Sequence, residues 1–430
     1  MTPSTGSTRS TRSRSPPPNP RPRPGARSSA VSQKPLNILV LASYFKGDRF
    51  MRQAARRGAR LFLLTVAKRL NEAWPREVLA DVFAQQDDSP LSHTLNTVSY
   101  LARSIKFDRI VPMDDYDVET AASLREHLRI PGMGDTTARH FRDKLAMRVK
   151  AQEEGIPVPD FVHVLNYDEL REYMARVPPP WMLKPRSQAS ATGIRKIRDP
   201  DQLWKELERL GDQQSYFLLE RFVPGDIYHC DSIISEKKVA FAEVHRCGTP
   251  PFDVAHGGGI FTTHTVERGS SDEKELRKLN EQVLTRLNLV RGVSHTEYIK
   301  GKDGKFYFME TSARVGGAHI SDVVEAATGV NLWEEWANIE IDKGQVPYEL
   351  PKNVRRDYAG AAVTLARQAW PDYSAYTDPE IVMQVKKEHH AGIILKSTDC
   401  KRIEKLMGEY GERFKKDFMA TAPAPEKPND

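Results

Sequence analysis

Cysteine is scarce in this chain, with three residues in 430. Cys230, Cys247 and Cys400 have no metal-ligand spacing and are too few for a disulfide framework, so a reducing, cytoplasmic setting is expected. No apolar run approaches the roughly 20 residues of a membrane span. No G-x-x-x-x-G-K-[ST] phosphate loop occurs, and the first strand-to-helix turn, SYFKGDRF, lacks G-x-G-x-x-G, which removes the common nucleotide and dinucleotide cradles. No Ser-His-Asp or Cys-His arrangement suggests a protein nucleophile. Acidic residues are missing from positions 1–34, which hold seven cations; without them the net charge of +6 becomes −1. The basic character therefore belongs to a Pro/Ser/Arg-rich tail, residues 1–35, expected to be disordered. The rest, 39% hydrophobic and 28% charged, reads as a globular chain of two or three lobes.

Strand and helix patterns alternate from Leu36. LNILVLAS, ARLFLLTVA and FDRIVPM read as strands. Helices are expected over Phe50–Gly58, Pro75–Gln85, Leu91–Ile105 and Val118–Leu128. This alternation predicts an α/β domain with a doubly wound parallel sheet over 36–135. A helix over Thr136–Glu153 should stop at Gly155, and Pro157 and Pro159 force an extended exit. Strand-rich sequence follows to about Ser270, then helices over Asp272–Leu287 and Ile320–Thr328. Residues 346–430 add three short strands and a basic terminal helix.

The segment VSHTEYIKGKDGKFYFMETSARVGG reads as a hairpin around Asp303-Gly304, a strong two-residue turn signal. With that loop Lys302 pairs with Lys305 and, counting outward, Glu297 falls opposite Glu310. Two carboxylates would then face each other with Cβ atoms roughly 4.5–5.5 Å apart. Such a pair repels unless a cation intervenes, and Mg²⁺ is held by one or two carboxylates plus substrate phosphates. The plain alternative is two solvated glutamates on an exposed hairpin. Lys184 ends an apolar strand before a small-residue turn, SQASATG, which suits a phosphate; Lys144 sits on a charged helix.

Taken in order, these elements resemble the ATP-grasp superfamily over residues 36–345. Lys144 followed by EEGIPVPDF is similar to its entry into the nucleotide lobe, PWMLKP to its strand with the second lysine, and Ser187–Gly193 to its phosphate loop. LERFVPG is similar to its interdomain hinge, and Glu297 with METSARVGG to its metal pair and E-x-N-x-R-x-G-G element. The resemblance implies an ATP-grasp domain over 136–345, its nucleotide lobe at about 150–225, behind the N-terminal domain and before a small C-terminal cap. It implies that Lys144 and Lys184 bind ATP phosphates, Glu220 the adenine amino group, and Arg221, Phe222 and Val223 the base. Glu297, Glu310 and Ser312 would hold Mg²⁺ (or Mn²⁺). Arg314 would clamp a carboxylate or acyl-phosphate, with Lys184 sharing the catalytic charge, and Gly316 and Gly317 would admit substrate. Glu243, His245 and His256 are candidates for the amine substrate.

Three departures stand out. The phosphate loop keeps one glycine, Gly193; Ile227 occupies the usual ribose-glutamate position; Ser312 replaces the usual metal-ligand asparagine. The implied reaction is ATP-dependent activation of a carboxylate as an acyl-phosphate and its capture by an amine, in the manner of amino-acid and carnosine-synthase-like ligases. Implied partners are small-molecule carboxylate and amine substrates, with no nucleic acid, no membrane, and a homodimer as the assembly to test. The alternatives are a biotin-carboxylase-like or purine-biosynthesis-like enzyme activating a small carboxylate, and a catalytically weak ATP-binding regulatory protein.

Overall fold

In the computed structural model, residues 34–189, 191–248, 259–342 and 346–420 are described; the basic tail up to residue 33 and His256 lie outside them. Strands β1 (Asn37–Ala42), β2 (Arg60–Val66), β3 (Leu79–Gln85) and β4 (Arg109–Pro112) form a wholly parallel sheet in the order β3-β2-β1-β4. Strand β1 is buried along its whole length, as expected of a strand covered on both faces. The helix expected over Pro75–Gln85 is instead a single 3₁₀ turn, Arg76–Val78, followed by β3. That strand lies at the sheet edge with several exposed residues, so it lacks the apolar run by which a parallel strand is recognised.

The helix Asp115–Leu128 starts three residues earlier than expected because the Asp114 side chain caps it, accepting from the Tyr116 amide at 3.3 Å. The helix expected over Thr136–Glu153 is two helices, Asp135–Arg139 and Lys144–Glu153. The second begins afresh because the Asp143 carboxylate accepts from the Leu145 and Ala146 amides at 2.9 and 3.4 Å.

A second sheet holds β5 (Phe161–His163), β6 (Trp181–Pro185), β7 (Arg195–Ile197) and β8 (Phe217–Arg221), in the order β5-β8-β6-β7 and antiparallel. Helices Tyr167–Arg176 and Pro200–Leu210 cover its core of Trp181, Leu183, Leu203 and Leu219.

The third sheet is the largest. Its strands are β9 (Gly225–Ser235), β10 (Lys238–Cys247), β11 (Phe261–Thr265), β12 (Gly292–Gly301), β13 (Phe306–Ser312), β14 (Tyr358–Leu365), β15 (Ile381–Gln384) and β16 (His390–Ser397). They run β13-β12-β9-β10-β11-β14-β16-β15, so the strands of residues 346–430 extend this sheet rather than forming a separate layer.

Alternation along β9 and β12 gives the sheet two unlike faces. Tyr228, Cys230, Ile234 and Tyr298 pack with helix Ser271–Arg286 in one core. Ile233 and Val293 face the other way, into the core they share with β1, β2 and Trp336. His229, Asp231, His295 and Glu297 lie on that second face by the same alternation.

The hairpin β12–β13 pairs Glu297 with Glu310, but by a route the sequence did not predict. Its loop has three residues, closed by the Gly301 amide donating to the Lys305 carbonyl at 2.9 Å, with Gly304 at φ 79°. That register alone would set Glu297 opposite Met309. A β-bulge skips Met309, so pairing shifts from Tyr298–Phe308 to Glu297–Glu310. Phe306 and Phe308 therefore face the apolar core while Glu310 joins the face of Glu297.

Candidate active site

A cavity of about 430 Å³ lies against this face, and Lys144, Lys184, Glu297, Glu310, Ser312, Arg314 and Gly317 all line it. The structure thus gathers residues from helix Lys144–Glu153, β6, β12, β13 and the turn after β13. Ile227, His229 and His295 line it as well.

Lys144, Lys184, Glu297, Glu310 and Arg314 each already meet an opposite charge. Lys144 Nζ is 2.6 Å from Glu310 Oε2 and donates to the Gln188 carbonyl at 2.7 Å, within the Ser187–Gly193 loop. Glu297 Oε1 faces His295 Nε2 at 3.4 Å. Burial raises the Glu297 carboxyl, but the His295 hydrogen bond and charge, with His229 and Lys144, outweigh it and hold it below its ordinary range. Burial opposes charge on His295 too, yet Asp231 and Glu297 push it up to about 10.

Arg314 is anchored by Asp115, the first residue of helix Asp115–Leu128. Its Nε donates to Asp115 Oδ2 at 2.8 Å, its Nη2 donates to the same oxygen, and its Nη1 donates to the Val315 carbonyl at 2.9 Å. Three of the five guanidinium donors are thereby used. The Ser312 hydroxyl donates to Asp115 Oδ1. Burial raises the Asp115 carboxyl, but Arg314 overrides it and holds it far below the usual carboxylate range.

Residues 220–223 stand apart from the cavity lining. Glu220 is 1% exposed and bound on both oxygens: Oε2 accepts from Arg148 Nε and Nη2 at 3.0 and 2.9 Å, and Oε1 meets Lys184. Burial raises Glu220, and the two cations more than reverse this. Arg221 donates through Nε to Asp160 at 3.2 Å, Lys196 Nζ sits 3.8 Å from the Phe222 ring centre, and Val223 is buried.

The remaining candidates divide. Glu243 is buried against Arg268, at 2.6 and 3.0 Å, away from the cavity lining. Gly317 has open space where a Cβ would be, whereas a Cβ on Gly316 would lie 3.0 Å from both Asp231 Oδ1 and His295 Nδ1. Gly316 therefore borders the buried polar cluster beneath the cavity. His256 is outside the described residues.

Sequence reasoning passed over Asp115, Arg148, His229 and His295 as site residues, and offered Asp231 only as a stand-in for the ribose-binding glutamate. Arg148 lies one helical turn after Lys144 and shares its face. His295 lies two residues before Glu297 on the same strand, which places both on one face. Asp115 carries no such local signal.

Residues 149–321 match the ATP-grasp domain family. Among curated proteins, the chain is 26% identical over 242 residues to the L-arginine-specific L-amino acid ligase of Bacillus subtilis, covering 55% of this chain and 58% of that protein. It is 22% identical over 213 residues to a D-alanine–D-alanine ligase of Neisseria gonorrhoeae, covering 48% of this chain and 70% of that one. Among solved structures, it resembles an L-amino acid ligase from Bacillus licheniformis with a TM-score of 0.70 at 16% identity, over 91% of this chain and all of that one. It also resembles the ADP complex of an N5-carboxyaminoimidazole synthetase from Staphylococcus aureus, with a TM-score of 0.68 at 14% identity, over 87% and 96% of the two chains. The structural likenesses establish a shared fold.

Proposed function

We propose that this chain, which carries an ATP-grasp domain, is an ATP-dependent ligase that activates a carboxylate as an acyl-phosphate and joins it to an amine, the amine being an amino acid. One observation supports this above the others: the register-matched pair Glu297 and Glu310 faces a cavity that also receives Lys144, Lys184 and Arg314. The names of the two curated relatives support amino acids as substrates.

The carboxylate pair fits a divalent cation. Lys144 and His295 now supply the positive charge that such a pair requires. Glu297 and Glu310 would hold Mg²⁺ (or Mn²⁺), with the Ser312 hydroxyl beside them once it leaves Asp115. When bound there, the ion neutralises charge on the transferring phosphate.

Lys144 and Lys184 act as mobile point charges on the phosphates. Lys184 turning from Glu220 toward a phosphate frees Glu220 Oε1 for the adenine amino group, while Arg148 keeps Oε2 fixed. Arg221, Phe222 and Val223, on the hinge after β8, would flank the base. Arg314 keeps two donors for the substrate carboxylate or acyl-phosphate, and Asp115 holds its plane in place. Gly317 leaves room beside it. Catalysis on this reading is positioning and charge neutralisation. The three cysteines are free and buried, which supports a reducing cytoplasm. Among the described residues, no helix is long and apolar enough to cross a membrane.

The test is a phosphate-release screen with ATP, Mg²⁺ and paired amino acids and small carboxylates. Release that requires an added amino acid supports the proposal. Turnover with bicarbonate alone replaces it with a small-carboxylate enzyme, and ATP binding without turnover across the panel replaces it with a regulatory protein.

A further inference from the structure

The polar face of the large sheet continues beyond the carboxylate pair. Two adjacent cross-strand rungs run over four strands. One holds Glu243, Asp231, His295 and Ser312; the other holds His245, His229, Glu297 and Glu310. Buried polar side chains normally find partners, so a row of three histidines about one aspartate needs an account.

All three imidazoles turn Nδ1 toward Asp231, which is itself fully buried. The distances are 2.7 Å from His229, 2.9 Å from His295 and 3.5 Å from His245. The ligand atoms of His229, Asp231 and His295 lie within 4.8 Å of one another. His229 and His295 approach the Asp231 carboxylate at ordinary hydrogen-bond distances. The third, His245, is 0% exposed, stacks on His229 with ring centres 4.7 Å apart, and has no hydrogen-bond partner on either nitrogen among the described residues. A buried imidazole whose nearest acceptor, Asp231, lies as far as 3.5 Å is poorly satisfied unless something else binds it.

The outer nitrogens fit the same picture. His229 Nε2 meets Thr263 Oγ1 at 2.7 Å, and His295 Nε2 meets Glu297 at 3.4 Å. Metal-binding histidines usually engage their second nitrogen with a carboxylate or another oxygen in this way. His229 and His295 also line the cavity, which gives an ion a path inward. Gly316 closes the cluster on its open side, where any side chain would meet Asp231 and His295.

We propose that His229, Asp231 and His295, with His245 as fourth ligand, form a second metal site, separate from the Glu297–Glu310 pair and joined to it through the His295–Glu297 contact. Three imidazoles and one carboxylate select a borderline ion of the Zn²⁺ class over Mg²⁺, which takes oxygen ligands. On binding, the ion would displace the protons that the His229 and His295 Nδ1 atoms share with Asp231, releasing them to solvent, tie β9, β10 and β12 together, and leave His295 Nε2–H to orient Glu297. This inference does not depend on the ligase reading.

The test uses the full chain, free of any histidine tag, stripped with a chelator, incubated with Co²⁺ in excess Mg²⁺ without nucleotide, and desalted. The expected result is about one retained Co²⁺ per chain with the visible absorption of a four-coordinate ion. Asp231→Asn and His245→Gln should each lower retention at least ~10-fold, while Glu310→Gln should keep it. Circular dichroism confirms that each variant is folded. Should Asp231→Asn fail to fold, His245→Gln and the unaltered chain still decide. Absence of retained Co²⁺ in the unaltered chain overturns the proposal and leaves a hydrogen-bonded network only. Equal retention in a folded Asp231→Asn or His245→Gln variant, or loss in Glu310→Gln, overturns it as well.

Discussion

Glu297 stands directly across from Glu310 because Met309 is skipped between the two strands. The three-residue turn taken alone would pair Glu297 with Met309 and turn Glu310 toward Phe306, Phe308 and Tyr298. A single bulged residue therefore decides whether the second carboxylate reaches the cavity or the apolar core. The Met309 carbonyl accepts from Nη1 of Arg148, whose other nitrogens hold Glu220, so one buried guanidinium contacts both β8 and the bulge.

Deleting Met309 should restore a regular ladder with Glu310 still opposite Glu297, because Phe308 keeps its place across from Tyr298. Mg²⁺-dependent turnover should persist, while the melting temperature falls because Arg148 Nη1 loses the Met309 carbonyl. Steady-state kinetics and thermal unfolding check both.

Arg148→Met should destabilise the protein by about 3–5 kcal/mol, the usual cost of removing one partner of a buried ion pair. Glu220 would keep Lys184 alone, and the Met309 carbonyl would lose its donor. Urea unfolding measures the change.

The sequence carried the carboxylate pairing because β-branched and aromatic runs around Asp303-Gly304 announce a hairpin. The pairing came out right although the loop is one residue longer, since the bulge restores the register that the turn removes. Nothing local announces that bulge; the side chain that binds its Met309 carbonyl is Arg148, more than 150 residues away in the chain. That β1, β2 and β4 are strands of a parallel sheet was legible from their apolar runs and their alternation with helices. Edge strand β3 was not, because its exposed face breaks the run, and the helix break before Lys144 was missed because the Asp143 cap lies within a continuous helical pattern. Lys144, Lys184 and Arg314 were found as lining residues. The clasp of Asp115 on Arg314 joins residues 199 apart, a relation that only folding creates.

That clasp should appear as coupling. Asp115→Asn and Arg314→Lys are each expected to lower stability, and the double variant should lose less than the two combined, with an interaction of about 0.5–3 kcal/mol. A double-mutant cycle by denaturant unfolding gives the value. Asp115→Asn should also raise KM for the carboxylate substrate, since Arg314 loses its fixed plane.

Asp117 gives a pH signature. Burial raises its carboxyl first, the neighbouring Asp114 adds to this, and its pKa reaches about 7 against an ordinary value of 3.8. Between these values the folded chain binds a proton that the unfolded chain has released. Stability is therefore full below about pH 4 for this group and is lost as pH rises toward 7. The slope it contributes approaches about 1.4 kcal/mol per pH unit. Comparing unfolding free energies at pH 5 to 7 for the unaltered chain and Asp117→Asn should show that slope only in the former.

The most direct test of the central claim is Mn²⁺ binding in the presence of ATP, followed by electron paramagnetic resonance in the unaltered chain and in Glu310→Gln. Only the ATP-dependent fraction of bound ion is counted. The opposed carboxylates predict that this fraction weakens at least ~10-fold in Glu310→Gln, with circular dichroism unchanged. Equal ATP-dependent Mn²⁺ affinity in the two proteins would contradict the assignment of Glu297 and Glu310 as the metal-holding pair.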